Sequence, residues 1–206
     1  MRKMPYYMYV SASGEDKIKN FIVDPQTGKL ESKGEVVVIG SPANLVIAPS
    51  RDFIYVARKG IKEISTFRRN LETGDISFIG TMSVEAEPGY LAVDKKGKYL
   101  FATYFWMGQV AVYPINNQGI VTNPPLELFN TAKGVHSVQT DPSNQFVFYP
   151  HIAVIGPNLI LQFKFNSLLQ NGIGRNCKQN SPLLQRKFPT IANRLLKAPD
   201  PNNISL

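Results

Sequence analysis

A unit of about 46 residues recurs along most of this 206-residue chain, and no other feature restricts its possible folds as strongly. Tyr7-Met8-Tyr9-Val10 aligns with Phe53-Ile54-Tyr55-Val56, with Tyr99-Leu100-Phe101-Ala102 and with Phe146-Val147-Phe148-Tyr149, at steps of 46, 46 and 47 residues. A second landmark keeps the same step: Asp24-Pro-Gln-Thr-Gly28, Asn70-Leu-Glu-Thr-Gly74 and Asn116-Asn-Gln-Gly119. A third runs from Pro42 to Ala48, from Pro88 to Asp94 and from Val135 to Asp141. Three landmarks in one register define a structural repeat, and the period of a repeat selects its architecture.

Each unit reads as four short strands, because β-branched and aromatic residues are enriched and turn residues recur every 8–12 positions. One unit shows the pattern in full. Gly89 to Val93 is a first strand, Asp94 to Lys98 a tight turn, and Tyr99 to Thr103 a second strand. Gln109 to Ile115 alternates as a third, and Leu126 to Asn130 is a weaker fourth. Four strands in 40–50 residues is the signature of a β-propeller blade; helical and leucine-rich solenoids need other periods and helix-type spacing. The fold class expected is therefore all-β, a β-propeller with about 3.5 four-stranded blades present over residues 1–167.

Composition agrees with a packed domain. Apolar residues make up 43% and charged residues 18%, which excludes disorder over most of the chain. No run approaches 18 apolar residues, so no membrane-spanning helix is expected, and Met1 to Val10 lacks the apolar stretch of a signal peptide. The single cysteine, Cys177, forms no internal disulfide and suits a reducing, cytoplasmic setting. The net charge of +8 is unevenly placed. Residues 168–206 hold six basic residues against Asp200, for +5, while residues 1–167 carry +3. A near-neutral body with a basic tail argues against a nucleic-acid surface.

Blade geometry assigns loops to faces. The turns Ser50-Arg-Asp52, Lys95-Lys-Gly97 and Pro142-Ser-Asn144 fall on one face and are ordinary turn chemistry. The other face collects Ser13 to Lys17, Arg58 to Lys62, Tyr104 to Gly108 and His151 to Asn158, together with the start of each innermost strand. At that start, Ala43, Gly89 and His136 occupy one repeat position. Two of the three are small, as expected where strands converge on the axis. The imidazole of His136 is expected to point at the channel mouth, where a ligand would sit; a channel histidine bonded to water or a carbonyl is the plainer alternative. His151 is either its neighbour on this face or a loop residue. Arg58 and Lys59 could meet an anionic ligand or simply be solvated. Trp106, the one tryptophan, either lines the mouth or packs over the blade, and packing is the expectation.

Gly134-Val-His-Ser-Val-Gln-Thr-Asp-Pro-Ser-Asn-Gln-Phe-Val-Phe148 resembles the histidine-containing segment of the 6-phosphogluconolactonase-like, seven-bladed propeller lactonases. Pro88 to Phe101 and Gly108 to Tyr113 are similar to that family's blades, and the resemblance covers about residues 6–166. It implies a metal-free, cofactor-free hydrolase that opens a phosphorylated sugar lactone with water. Its proposed site joins a histidine to an arginine and a glutamate from later blades. Only the histidine carries over, onto His136, with Ser137 beside it. The family's arginine and glutamate segments have no match, and Arg194 and Glu127 stand in other contexts. The site residues expected are His136 as the catalytic group, with Ser137, His151 and Arg58 contacting substrate. No metal ligand set can be assembled.

Seven blades at this period need roughly 320 residues. After Phe165-Asn-Ser167 the repeat ends, and residues 168–206 read as an irregular basic tail with a short helix near Ile191 to Leu196. The expectation is that this tail is not native to the propeller and that a shifted frame or early stop produced it. An incomplete ring would expose blade edges, so low solubility or self-association is expected. Two functional classes follow: a lactonase of doubtful activity acting on a small-molecule lactone, or a non-catalytic propeller segment that binds a ligand or partner.

Overall fold

The computed structural model describes residues 6–165, together with the backbone of a short strand at 184–186. Fifteen strands form four antiparallel sheets in sequence order. The first blade has three strands, β1 (Tyr6–Ala12), β2 (Lys17–Val23) and β3 (Leu30–Val37). The second has β4 (Pro42–Ile47), β5 (Phe53–Arg58), β6 (Glu63–Arg69) and β7 (Ile76–Ser83). The third has β8 (Tyr90–Val93), β9 (Tyr99–Tyr104), β10 (Gln109–Pro114) and β11 (Glu127–Asn130). The fourth has β12 (Gln139–Thr140), β13 (Phe146–His151), β14 (Leu159–Phe165) and β15 (Leu184–Arg186). The four strands expected from Gly89 to Asn130 are thus present within a residue or two of their expected bounds.

The expected tail differs in one place. Leu184–Arg186 pairs with Phe163–Phe165 and supplies a fourth strand to the fourth blade. The free edge of β14 offers unpaired backbone N–H and C=O groups, and three residues of any sequence can satisfy them; so short a segment shows no alternation to read. The remainder of 166–206, including the helix expected near Ile191 to Leu196, lies outside the described residues.

Local chemistry sets the turns between third and fourth strands. The carboxylate of Asp24 accepts the N–H groups of Gln26 and Thr27; one blade on, the Asn70 amide oxygen accepts those of Glu72 and Thr73, and in the next that of Asn116 accepts those of Gln118 and Ile120. Each turn ends on a left-handed glycine, Gly28, Gly74 or Gly119. The glycines also let blades approach. A Cβ on Gly74 would lie 2.4 Å from the Tyr7 ring, and one on Gly119 would lie 2.3 Å from the Phe53 ring. The hydroxyls of Tyr9 and Tyr55 then donate to the carbonyls of Gly74 and Gly119, at 2.7 and 2.9 Å. Each such bond contributes about 1 kcal/mol. One aromatic–glycine lock therefore recurs between successive blades, with its two halves about 65 residues apart in sequence.

The core follows the same plan. Its three buried clusters lie at the three contacts between consecutive blades, around Ile54 and Val56, around Tyr55 and Leu100, and around Phe101 and Tyr149. β4 touches both β1 and β8, so the second blade packs against its neighbours on both sides.

Candidate functional site

Backbone hydrogen bonding puts His136 where the repeat register places it. The Gly89 N–H donates to the Thr103 carbonyl at 2.7 Å, and the His136 N–H donates to the equivalent Pro150 carbonyl at 2.9 Å. One residue earlier, Val135 bridges His151 as Pro42 pairs with Arg58. Val135 is fully buried, so alternation turns the His136 ring outward to an exposed position.

Gly134 explains the local sequence. Its φ is +88°, and a Cβ there would lie 2.5 Å from the Ile152 carbonyl oxygen, so only glycine fits. Its N–H donates to the Phe105 carbonyl at 3.0 Å, and its carbonyl accepts the Ile152 N–H at 2.9 Å. The residue two before the histidine thus ties the third blade to the fourth. The Phe105 ring stands edge-on to His136, with centroids 6.0 Å apart at 72°.

His136 lines a cavity of about 330 Å³ with Lys59, Glu87, Gly89, Phe105 and Trp106; Tyr90, Val135 and Ile152 complete the wall. Lys59, Phe105 and Ile152 are one repeat position, the residue after the second strand, in three successive blades. Gly89 and His136 are a second shared position. The cavity is therefore built by the repeat itself, with Lys59 from the second blade, His136 from the fourth, and Gly89, Phe105 and Trp106 from the third between them. A Cβ on Gly89 would meet the Thr103 carbonyl and hydroxyl oxygens at 3.3 Å.

The other expected site residues fall elsewhere. Arg58 donates through Nε to the Ile39 carbonyl at 2.7 Å and through a terminal nitrogen to Glu63 at 2.8 Å and Ser65 at 3.2 Å. Its guanidinium braces the second blade, while the neighbouring Lys59 faces the cavity. His151, at Arg58's repeat position, is 4% exposed; its Nδ1 bonds the Tyr149 carbonyl at 2.8 Å. Burial pushes the His151 pKa down, against the opposing pull of the Tyr149 and Ala132 carbonyls. Neither Arg58 nor His151 lines the cavity, and half-buried Ser137 does not line it either. Trp106 was expected to pack over its blade; instead it is 59% exposed on the cavity wall, edge-on to Phe105 at 5.1 Å. Glu87, Phe105 and Ile152 were missed, although following the Lys59 register through the next two blades yields the last two.

A second cavity of about 290 Å³ lies between Ser83–Ala86, Asn123–Pro125 and the paired hydroxyls of Tyr104 and Tyr113, 2.6 Å apart. Among the described residues its lining carries no basic side chain, which leaves the His136 cavity as the better fit for acid–base chemistry. Among the described residues no group of three or more His, Cys, Asp or Glu side chains could hold a metal ion. No described helix is long and apolar enough to cross a membrane.

Comparison with known proteins places these features. The family model described as "Lactonase, 7-bladed beta-propeller" matches residues 8–168. The 6-phosphogluconolactonase of Blochmanniella pennsylvanica is 26% identical over 160 residues, covering 78% of this chain and 46% of its own. That of Pectobacterium carotovorum is 29% identical over 147 residues, covering 71% and 43%. The chain therefore spans less than half the length of these curated relatives. Among solved structures, a candidate 6-phosphogluconolactonase of Bacteroides uniformis superposes with a TM-score of 0.75 at 17% identity, covering 90% of this chain and 51% of its own. The periplasmic gluconolactonase of Pseudomonas aeruginosa superposes with a TM-score of 0.67 at 19% identity, covering 78% and 50%.

Proposed function

The chain belongs to the seven-bladed β-propeller lactonase family, and on that premise we propose that the His136 cavity holds a sugar lactone, 6-phosphogluconolactone, whose hydrolysis His136 assists. The observation that carries this reading is an outward imidazole in a cavity that also holds an ammonium and a carboxylate, Lys59 and Glu87. In the reaction, water adds to the lactone carbonyl and the ring C–O bond breaks. The ring oxygen takes a proton, and the open hydroxy acid leaves. His136 is suited to take the proton from water and return it to the ring oxygen, because a neutral imidazole offers an acceptor nitrogen and its protonated form a donor. The Phe105 ring packs against one side of the imidazole, with centroids 6.0 Å apart. The lone cysteine fits the cytoplasmic setting expected from the sequence.

A lactone-opening assay on the purified chain tests this. Substituting His136→Ala is expected to lower turnover about 10²–10⁴-fold, the usual contribution of a positioned general base, without loss of fold, since the ring is exposed. Turnover that survives the substitution removes His136 from the mechanism. A second reading is favoured by the chain's spanning less than half of its curated relatives: ligand binding without turnover. Saturable binding of the sugar acid by a chain that hydrolyses no lactone would select it.

A further inference from the structure

We propose that Lys59 is the anchor for the anionic group of the ligand, so that the cavity selects phosphorylated over unphosphorylated sugar lactones. This rests on the lactone reading above and adds to it the group that distinguishes one lactone from another. Among the described residues, Lys59 is the single Lys or Arg in the cavity wall. The ammonium forms no ion pair among the described residues, whereas the adjacent Arg58 is committed to Glu63. The Lys59 backbone is fixed: its N–H donates to the Ser41 carbonyl at 3.2 Å, and the Gly60 N–H to the Gly40 carbonyl at 3.0 Å. The side chain thus extends from a held turn, Lys59–Ile61, rather than from a loose loop.

Topology supplies the second argument. Lys59 comes from the second blade and His136 from the fourth, so a ligand touching both lies across the inner end of the third, over Gly89. In a six-carbon sugar lactone phosphorylated on its last carbon, carbonyl and phosphate sit at opposite ends of the molecule. The wall offers such a ligand an imidazole from the fourth blade and an ammonium from the second, one for each end. Glu87, the one acidic side chain among the described residues of the wall, belongs to the segment leading into the third blade. Contact between an ammonium and a phosphate is charge-assisted and stronger than a neutral hydrogen bond.

Trp106 gives a direct readout, because it is the chain's one tryptophan and lines the cavity. Its fluorescence, with calorimetry in parallel, is followed as the full chain is titrated with 6-phosphogluconate and with gluconate. Wild-type protein is expected to bind 6-phosphogluconate about 10-fold or more tightly than gluconate, the size of one charge-assisted contact. Lys59→Met should abolish most of that difference by weakening 6-phosphogluconate far more than gluconate, and Lys59→Arg should keep most of it. Three results overturn the proposal: equal weakening of both ligands by Lys59→Met, unchanged 6-phosphogluconate binding, or no binding of either ligand by the wild type. The two readings fail separately. Lys59-dependent binding without lactone hydrolysis keeps the anchor and removes turnover; hydrolysis of both lactones, equally affected by Lys59→Met, keeps turnover and removes the anchor.

Discussion

The second and third blades differ from the first and fourth in how their middle strands are buried. In β6, Ile64, Ser65, Thr66 and Phe67 are buried in succession, and in β10 so are Val110 to Tyr113. In β2 only Ile18 and Asn20 are buried, and in β14 Leu161, Phe163 and Phe165 alternate with exposed or half-buried neighbours. Continuous burial means a sheet covered on both faces; alternation means a sheet covered on one. The outward faces carry Lys19 on β2, where the inner blades carry Ser65 and Ala111, and Gln162 on β14, where they carry Thr66 and Val112. They also carry Val10 and Ile160, at 39% and 53% exposed. Stability in this fold therefore resides in the contacts between blades rather than within any one of them. The His136 cavity obeys the same rule, since it needs residues from three consecutive blades.

The largest expected difference is at one repeat position. Phe101 is fully buried with its ring 5.1 Å from Phe165, whereas the equivalent Phe148 is half-buried on the outward face of the fourth blade. Phe101→Ala should cost about 3–5 kcal/mol in denaturant unfolding, and Phe148→Ala about 1–2 kcal/mol, as for a side chain that buries only part of its surface. Equal losses would break the comparison by showing that something covers the outward face.

The next contrast uses the glycine lock. Gly119 and Gly28 share a left-handed backbone, with φ of +80° and +71°. A Cβ at Gly119 strikes the Phe53 ring, and a Cβ at Gly28 meets nothing within 4 Å. Gly28→Ala should cost about 1 kcal/mol of backbone strain alone. Gly119→Ala adds the displacement of an aromatic ring and should cost about 2–4 kcal/mol. A large loss at Gly28 would mean that an aromatic ring occupies its socket in solution, which would sharpen the contrast into a statement about assembly.

These contrasts also mark what was legible in the residues alone. The period and the Asn/Asp…Gly turns are backbone requirements repeated every 46 residues, so they survive as pattern. The place of His136 followed from register, because strand pairing fixes which residue starts each inner strand. The fates of Arg58 and Lys59 did not. Both are basic and adjacent, and alternation sends one into the Glu63 and Ser65 network and the other to the cavity. His151 lies apart from the cavity for a similar reason: it ends a second strand, as Arg58 does, and its ring is turned into the interior. Glu87 lies in an irregular segment with no repeat counterpart of its own chemistry, so no sequence signal pointed to it.

The smallest contrast concerns the turn between first and second strands. Ala48, Asp94 and Asp141 share one position, and in each the backbone N–H bonds the residue five ahead, Phe53, Tyr99 or Phe146. The turn therefore forms without a carboxylate, as Ala48 demonstrates. Asp94 does more. It is fully buried and accepts the N–H groups of Lys96, Lys98 and Tyr99, and also the Asn144 amide at 3.0 Å from the next blade. Asn144 in turn accepts the Lys95 N–H at 2.9 Å. Asp94→Ala strands these buried donors and should cost about 1–3 kcal/mol. Asp141 accepts N–H groups only from its own turn, together with the Ser143 hydroxyl, and its half-buried site lets water replace a lost carboxylate. Asp141→Ala should therefore cost less than Asp94→Ala. Its signature lies in pH. Partial burial pushes the Asp141 carboxyl up, but the Ser143 hydroxyl and the turn's N–H groups outweigh it and hold the pKa below the ordinary value. A carboxylate with a depressed folded pKa stabilises above its unfolded pKa, and the contribution is lost as pH falls through the folded one. Unfolding midpoints of the wild type should fall through that acid range more steeply than those of Asp141→Ala; parallel profiles would show that the turn, like that of Ala48, draws nothing from its carboxylate.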